Sequence, residues 1–416
     1  MSLRTVITGG RIVTDDGDIR ADLVIDDHEI VALLATAEGV DADQTIDATD
    51  LLLLPGGVDI RIDAPWLSQN GQADVALGVQ QAAAAGGITS FAANPGTAED
   101  DSGAHASLAT DIALWHPLDG ENIPTAVQVS RMIGTGVAGF TVNPRGNGGA
   151  ITDRQLYDLM KLMGSFSVPL AIQPLHAAMD PRDPMSERLA VSTALLFAEE
   201  TGAWVHFHCV TTAGAMRQVM DARARGARVT VSVSALHLAL DAGDMNRHIR
   251  TTPPLRSRDE IEALWEYVLD ESVDTVGSTP VRRASAKTPA VPDAQSALSL
   301  FWDEAVSTRK MSHAQAARML STNPAHILGL HPKKGTLRIG GDADIVLFDP
   351  EGTWTARDRD MVDGGHWTPL DGRELTGFVV RTIRRGETVY DAERHSEQLV
   401  SAGSGRLLTR ADAVGS

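Results

Sequence analysis

The chain has 416 residues, 43% of them hydrophobic, which is too long for one small core and fits an α/β barrel with an accessory domain. Its net charge of −19, from 55 acidic and 36 basic residues, argues against nucleic acid and anionic membranes, which are recognised by basic patches. The one cysteine, Cys209, excludes an intrachain disulfide and a cysteine-built zinc site, so a metal would have to be held by His, carboxylate or water.

Residues 1–50 alternate short Val/Ile-rich runs with turns: TVITGGRIV, ADLVIDDHEIVALL and QTIDAT, with hairpin turns near Gly9-Gly10 and Asp26-Asp27. The opening residues lack the apolar core of a signal peptide, and no run reaches the ~18–20 apolar residues that span a bilayer, so a soluble cytoplasmic protein is expected. The strand pattern returns in GTLRIGGDADIVLFDP and TGFVVRTIRRGETVYD. Residues 1–50 and 335–395 are therefore expected to pair into one β-sandwich, split in sequence by a central domain. The tail 396–416, rich in Ser, Gly, Ala and Arg, reads as mobile.

The middle, 51–334, alternates strand and helix patterns, the mark of parallel βα units. Strands are read near 51–60, 88–93, 111–117, 138–142, 168–173, 203–209, 228–234 and 274–278. Helices are read over 75–86, ending at Gly86, and over 152–163, 186–201 and 257–270. Thr152 with Gln155 has the spacing of a capping box. Eight such strands predict an α/β fold of the (β/α)8 barrel type, with ligands at the C-terminal ends of the strands.

The first strand carries the most informative residues. Residues 51–65 read LLLLPGGVDIRIDAP, and alternation puts Arg61 and Asp63 on one face. This segment resembles the cyclic-amide branch of the amidohydrolase superfamily, comprising dihydroorotases, dihydropyrimidinases (hydantoinases) and allantoinases, whose strand reads PGxID-x-H-x-H. Further segments carry the same resemblance: AAAAGGITSF, TTPPLRSRDEIEALW and STNPAHILGLHPKKGTLRIGGDADIVLFDP. It covers nearly the whole chain and implies the barrel-plus-sandwich fold. Function must still be argued from the site.

In such relatives two divalent metals activate a hydroxide that attacks a ring amide. Their ligands are two His after strand one, a carboxylated Lys after strand four, a His after each of strands five and six, and an Asp after strand eight. The resemblance puts Arg61 and Asp63 at the first two positions. In GVAGFTVNPRG the lysine position falls on Thr141, and in VPLAIQPLHAAMD the histidine falls on Gln173, with His176 as a displaced substitute. In AWVHFHCVTT His208 keeps its place, whereas in DTVGSTPVRR the Asp position falls on Thr279 and the following His on Pro280. Arginine only donates and is always charged, so Arg61 repels a second cation and can stand in for a metal's charge. No binuclear centre is expected. A single divalent ion such as zinc would have Asp63, His176 and His208 available. An Arg61–Asp63 salt bridge fills the vacated pocket on this reading. The Arg that dihydroorotases use to grip a substrate carboxylate falls on Pro65.

Other candidates each carry a plain structural reading as well. Asp63 with His208 makes a metal-free acid–base pair. His206 shares the His208 face and reads as a hydrogen-bonded core residue or a metal ligand. Substrate contacts are assigned to Arg61, Asn94, Gln173, His237 and Arg282. Asn94 otherwise shapes a turn, His237 lies near the pocket mouth, and Arg282 is otherwise a solvated loop residue. Cys209 is expected to face away from the barrel axis as a small buried hydrophobe. Two functions stay open. The leading expectation is a non-catalytic homologue, a scaffold or ligand-binding subunit, with a carbamoyltransferase-like partner or a small anionic or cyclic-amide ligand. The alternative is a hydrolase of a cyclic amide C–N bond using one metal or none. A lyase or isomerase assisted by Arg61 is a weaker third. By resemblance a homo-oligomer is expected.

Overall fold

The computed structural model describes residues 3–63, 73–94, 108–118, 122–143, 151–247, 249–283, 291–363, 365–394 and 400–410. Its centre is a run of eight parallel strands in sequential order: β1 (Gly57–Asp63), β2 (Ile88–Asn94), β3 (Asp111–Leu118), β4 (Gly139–Val142), β5 (Leu170–Ile172), β6 (Val205–Phe207), β7 (Val229–Ser234) and β8 (Thr275–Gly277). These strands are apolar on both faces because helices cover the outside, as parallel strands require. The result is the expected (β/α)8 barrel.

No backbone ladder joins β8 to β1 among the described residues. A side chain spans the gap instead. Asp59 Oδ2 accepts the Ser278 N–H at 2.8 Å, and Asp59 Oδ1 accepts the Arg61 N–H at 3.0 Å. Gly277 leaves room for this: a Cβ there would lie 2.9 Å from Asp59 Oδ1.

Both ends of the chain build two further sheets. One is ordered Glu29–Leu34, Asp22–Asp26, Arg4–Thr8, Gln44–Asp47. The other is ordered Glu387–Asp391, Glu374–Arg384, Ile345–Thr355, Leu52–Pro55, Arg11–Thr14, Gly17–Arg20. Ile7, Leu23, Ile25, Leu53, Ile345 and Leu347 form the apolar layer they share. The stretch expected as one strand over 51–60 is thus two strands. Leu52–Pro55 belongs to the terminal sheet, and the chain passes into the barrel at Gly56, where any Cβ would clash with the Thr89 side chain.

One helix starts at its expected cap. Thr152 and Gln155 form the reciprocal capping box at the head of Asp153–Met163. Helix Ala73–Ala85 ends in Gly87, rather than Gly86, at φ +81°. The tail departs from expectation over 400–410. Leu408 is buried, Ile112 N–H donates to Arg406 O at 2.8 Å, and Leu408 N–H donates to Ile112 O at 2.8 Å. The apolar Leu407-Leu408 pair supplies the contact that composition alone did not reveal.

Barrel and terminal sheets meet on a buried ion cluster. Lys334 Nζ lies 2.7 Å from Asp111, 2.8 Å from Asp344 and 3.0 Å from Asp342, and Arg385 Nε lies 3.0 Å from Asp111. Burial alone would lower the Lys334 pKa, yet the three carboxylates hold it above its ordinary value. Removing one member of a buried pair leaves the others desolvated and uncompensated, at a cost of about 3–5 kcal/mol. Lys334→Met is therefore expected to lower the unfolding free energy by about that amount in urea titrations; a loss below about 1 kcal/mol would contradict this account.

Candidate functional site

The C-terminal ends of the barrel strands bring together residues from β1, β6, β7 and the segment after β8. In β1 the pairing with β2 slips between Asp59 and Ile62, so β1 carries an extra residue and Arg61 sits in the resulting bulge. Bulges re-aim side chains, and Arg61 lines a pocket with Ile60, His208, Cys209, Thr252 and Thr279.

His206 lies in β6 and His208 just beyond it. The two rings are 4.9 Å apart edge to face, and Trp115 packs on both, at 6.2 Å from His206 and 5.4 Å from His208. His206 Nδ1 bonds Thr230 Oγ1 at 3.0 Å. Burial, followed by the positive charges of Arg223 and Arg61, pushes the His206 pKa down to about 3. Burial, the His206 charge and Arg61 hold His208 well below its ordinary 6.5. Both rings are therefore neutral at pH 7. His208 Nδ1 is buried without a hydrogen-bond partner.

Cys209 departs from the sequence reading. It lines the pocket instead of facing away, because β6 ends at Phe207 and Cys209 takes φ +54°, which breaks the two-residue alternation. Its Sγ is 3.7 Å from His237 Nδ1, while His237 Nε2 is 2.8 Å from the Pro253 carbonyl. A carbonyl only accepts, so Nε2 carries the proton and Nδ1 faces the thiol. Burial pushes the His237 pKa down to about 4 and, with the Glu187 charge, the Cys209 thiol up to about 12. The thiol is protonated.

The other candidates are spread around the mouth. Gln173, past β5, donates from Nε2 to Thr252 O at 3.2 Å. His176 lies in its own loop, its Nδ1 accepting the Ala178 N–H at 3.3 Å. Thr141 is half-buried in β4. Asn94 ends β2, where it pairs with Asp63. The side chains of Asp63 and Arg282, and with them the expected Arg61–Asp63 salt bridge, lie outside the described residues, as does Pro65. The Arg282 backbone pairs with Arg250 in an antiparallel ribbon beside the mouth. Among the described residues, no three His, Cys, Asp or Glu side chains come close enough to hold a metal ion. No described helix is long and apolar enough to cross a membrane.

Two buried carboxylates escaped the sequence reading. Asp59 holds Ser278, and Asp293 Oδ1 accepts the Thr279 N–H at 2.6 Å while its Oδ2 is without a partner. Burial pushes Asp59 up to about 6, against the lowering hydrogen bonds from Arg61 and Ser278. Burial and the charge of Asp59 push Asp293 up to about 7, against the Thr279 N–H. Neither carries a local signal in the sequence: Asp59 closes the PGGVD motif and Asp293 directly precedes the helix Ala294–Phe301.

The sign of the pH effect follows. Asp293 binds its proton more tightly folded than unfolded, so its contribution favours the fold at low pH and is lost as pH rises from about 4 to about 7. Asp293→Asn keeps the acceptor for Thr279 and removes the titration. The unfolding free energy of the variant minus that of the parent is expected to grow between those pH values. A difference that stays flat would refute the assignment.

The amidohydrolase family model matches residues 52–389. Allantoinase from Rubrobacter xylanophilus is 30% identical, with 97% of each chain covered. L-hydantoinase from Paenarthrobacter aurescens is 27% identical over 97% of this chain and 98% of the relative, and dihydroorotase from Pelotomaculum thermopropionicum 27% over 93% and 98%. Among solved structures, L-hydantoinase from Arthrobacter aurescens superposes with a TM-score of 0.87 at 22% identity, covering 98% of this chain and 100% of that one. At that identity the superposition speaks to the fold.

Proposed function

From the premise that this chain belongs to the amidohydrolase family, we propose that it hydrolyses a C–N bond of a cyclic amide, as its allantoinase, hydantoinase and dihydroorotase relatives are named for, and does so without a binuclear metal centre. The observation that carries this reading is the pocket at the barrel mouth, which joins a fixed cation to a neutral imidazole.

Two metals do not fit the side chains that the resemblance puts at the ligand positions. Arg61 offers only N–H donors and a permanent positive charge. Thr141 has no amine to take up CO2 as a bridging carbamate. The Gln173 amide already donates to Thr252 O, and the Thr279 N–H to Asp293. In the proposed chemistry the Arg61 guanidinium draws charge from the ring carbonyl oxygen. Water attacks the carbonyl carbon and passes a proton to His208 Nε2 or Nδ1. The C–N bond then breaks, and that proton goes to the leaving nitrogen. General acid–base help of this kind is worth about 10²–10⁴-fold.

A second reading, a non-catalytic ligand-binding subunit with a carbamoyltransferase-like partner, is favoured by one observation: His208 is so desolvated that it is a weak base. Turnover separates the two. Protein shown metal-free by plasma mass spectrometry is expected to open at least one of allantoin, hydantoin, dihydrouracil and dihydroorotate. Chelator should leave the rate intact, and His208→Ala should lower kcat/KM by about 100-fold or more. No turnover, with or without added zinc, sinks the hydrolase reading. Activity that chelator abolishes and zinc restores sinks the metal-free mechanism.

A further inference from the structure

A cavity of about 300 Å³ lies at the end of the barrel opposite the mouth, where the start of β3, the terminal sheets and the tail meet. It shares no lining residue with the mouth pocket. Asp111, which opens β3, lines it together with Lys334 and Arg385, and all three are buried. Each carboxylate in its wall already has a cation. Asp111 and Asp342 lie 2.7 Å and 3.0 Å from Lys334, Asp111 is also 3.0 Å from Arg385, and Glu29 is 3.6 Å from Lys333. Behind the wall Asp344 adds one negative charge and Arg384 one positive. Arg406 stands apart from these pairs. Its backbone N–H donates to Asp111 Oδ1 at 3.0 Å, while its exposed guanidinium is in no ion pair among the described residues.

Four lysine or arginine side chains against three carboxylates leave the lining with one positive charge in excess, on a chain whose net charge is −19. Leu330, Leu407 and Leu408 supply an apolar stretch of the same wall. The cavity has far more room than one water or a bare ion needs and reaches the size at which pockets take small organic molecules. We propose that it is a second ligand site, separate from the mouth, which binds a small organic anion. The Arg406 fork holds the carboxylate or phosphate head in two-point contact, and the leucines cover a short apolar body. The tail contributes Arg406, Leu407 and Leu408, so the ligand also fastens 400–410 to the barrel. The site stands whether or not the mouth hydrolyses an amide.

Benzoate, phenyl phosphate and benzamide make a probe set: one ring with two kinds of anionic head and a neutral one. Titration calorimetry on the full chain is expected to give at least one of the anions about ten-fold tighter binding than benzamide. Hydrogen exchange locates the site, since the bound anion should slow amide exchange in 400–410. Arg406→Gln should erase both the preference and the protection, and Arg406→Lys should keep part of each. Only the backbone of Arg406 touches the buried ion cluster, so both variants keep that cluster, and circular dichroism melts check that they fold. Equal affinity for the three rings overturns the proposal. So does a preference that survives Arg406→Gln, protection that falls on the barrel mouth with 400–410 unchanged, or no anion binding at millimolar concentration.

Discussion

The Asp59 carboxylate is the constraint on which the barrel mouth depends. It is fully buried, comes from the first strand, and binds the backbone N–H that follows the last one. The eight strands need a closing contact, and among the described residues it is a charged-group hydrogen bond in place of a backbone ladder. Such bonds are stronger than neutral ones but cost desolvation. Burial therefore shows itself in the raised pKa of Asp59, and Asp293 is raised further, by burial first and then by the charge of Asp59. The loop from Gly277 to Thr279 is held from both sides by these two groups, and that loop forms one wall of the pocket.

The same desolvation decides the state of the opposite wall. Trp115 packs against His206 and His208, and its indole N–H donates to the Ile60 carbonyl at 2.7 Å, tying the aromatic cluster to the first strand just before Arg61. Water is excluded from the imidazoles, and the arginine charge disfavours their protonation. One arrangement thus fixes three protonation states: a cationic guanidinium, neutral rings and a neutral thiol. Packing and electrostatics are one problem at this mouth, because the burial that packs the histidines also keeps them uncharged beside the arginine.

Much of the fold was legible in the sequence because its signals are local. The eight strand segments, the Thr152–Gln155 cap and the two-ended terminal domain follow from periodicity and turn chemistry within a few residues. What escaped was non-local or turned on a single dihedral. Asp59 meets Ser278 across 219 residues, and no pattern in either segment announces the partner. Alternation holds only within Val205–Phe207 and fails for Cys209, whose left-handed backbone lies past the strand end. Leu52–Pro55 and Gly57–Asp63 looked like one strand because both are apolar, and only the crowding at Gly56 separates them. Composition suggests a mobile tail, while buried Val400 and Leu408 and the hydrogen bonds of Arg384 and Arg385 to Ser404 hold 400–410.

An arginine at the mouth also changes what a reaction there would require. A divalent metal both polarises a carbonyl and brings the pKa of bound water near 7. A guanidinium performs the first task and cannot perform the second, so attack by water then depends on a protein base. The neutral His208 is available in charge state but weakened by burial, whereas Asp59 and Asp293 have pKa values brought close to neutrality by the same burial. Asp59 is held by the Arg61 and Ser278 N–H groups and Asp293 Oδ1 by that of Thr279, and neither residue lines the pocket. Holding Asp59 at the barrel closure therefore leaves His208 as the base that a metal-free reaction at this mouth would use.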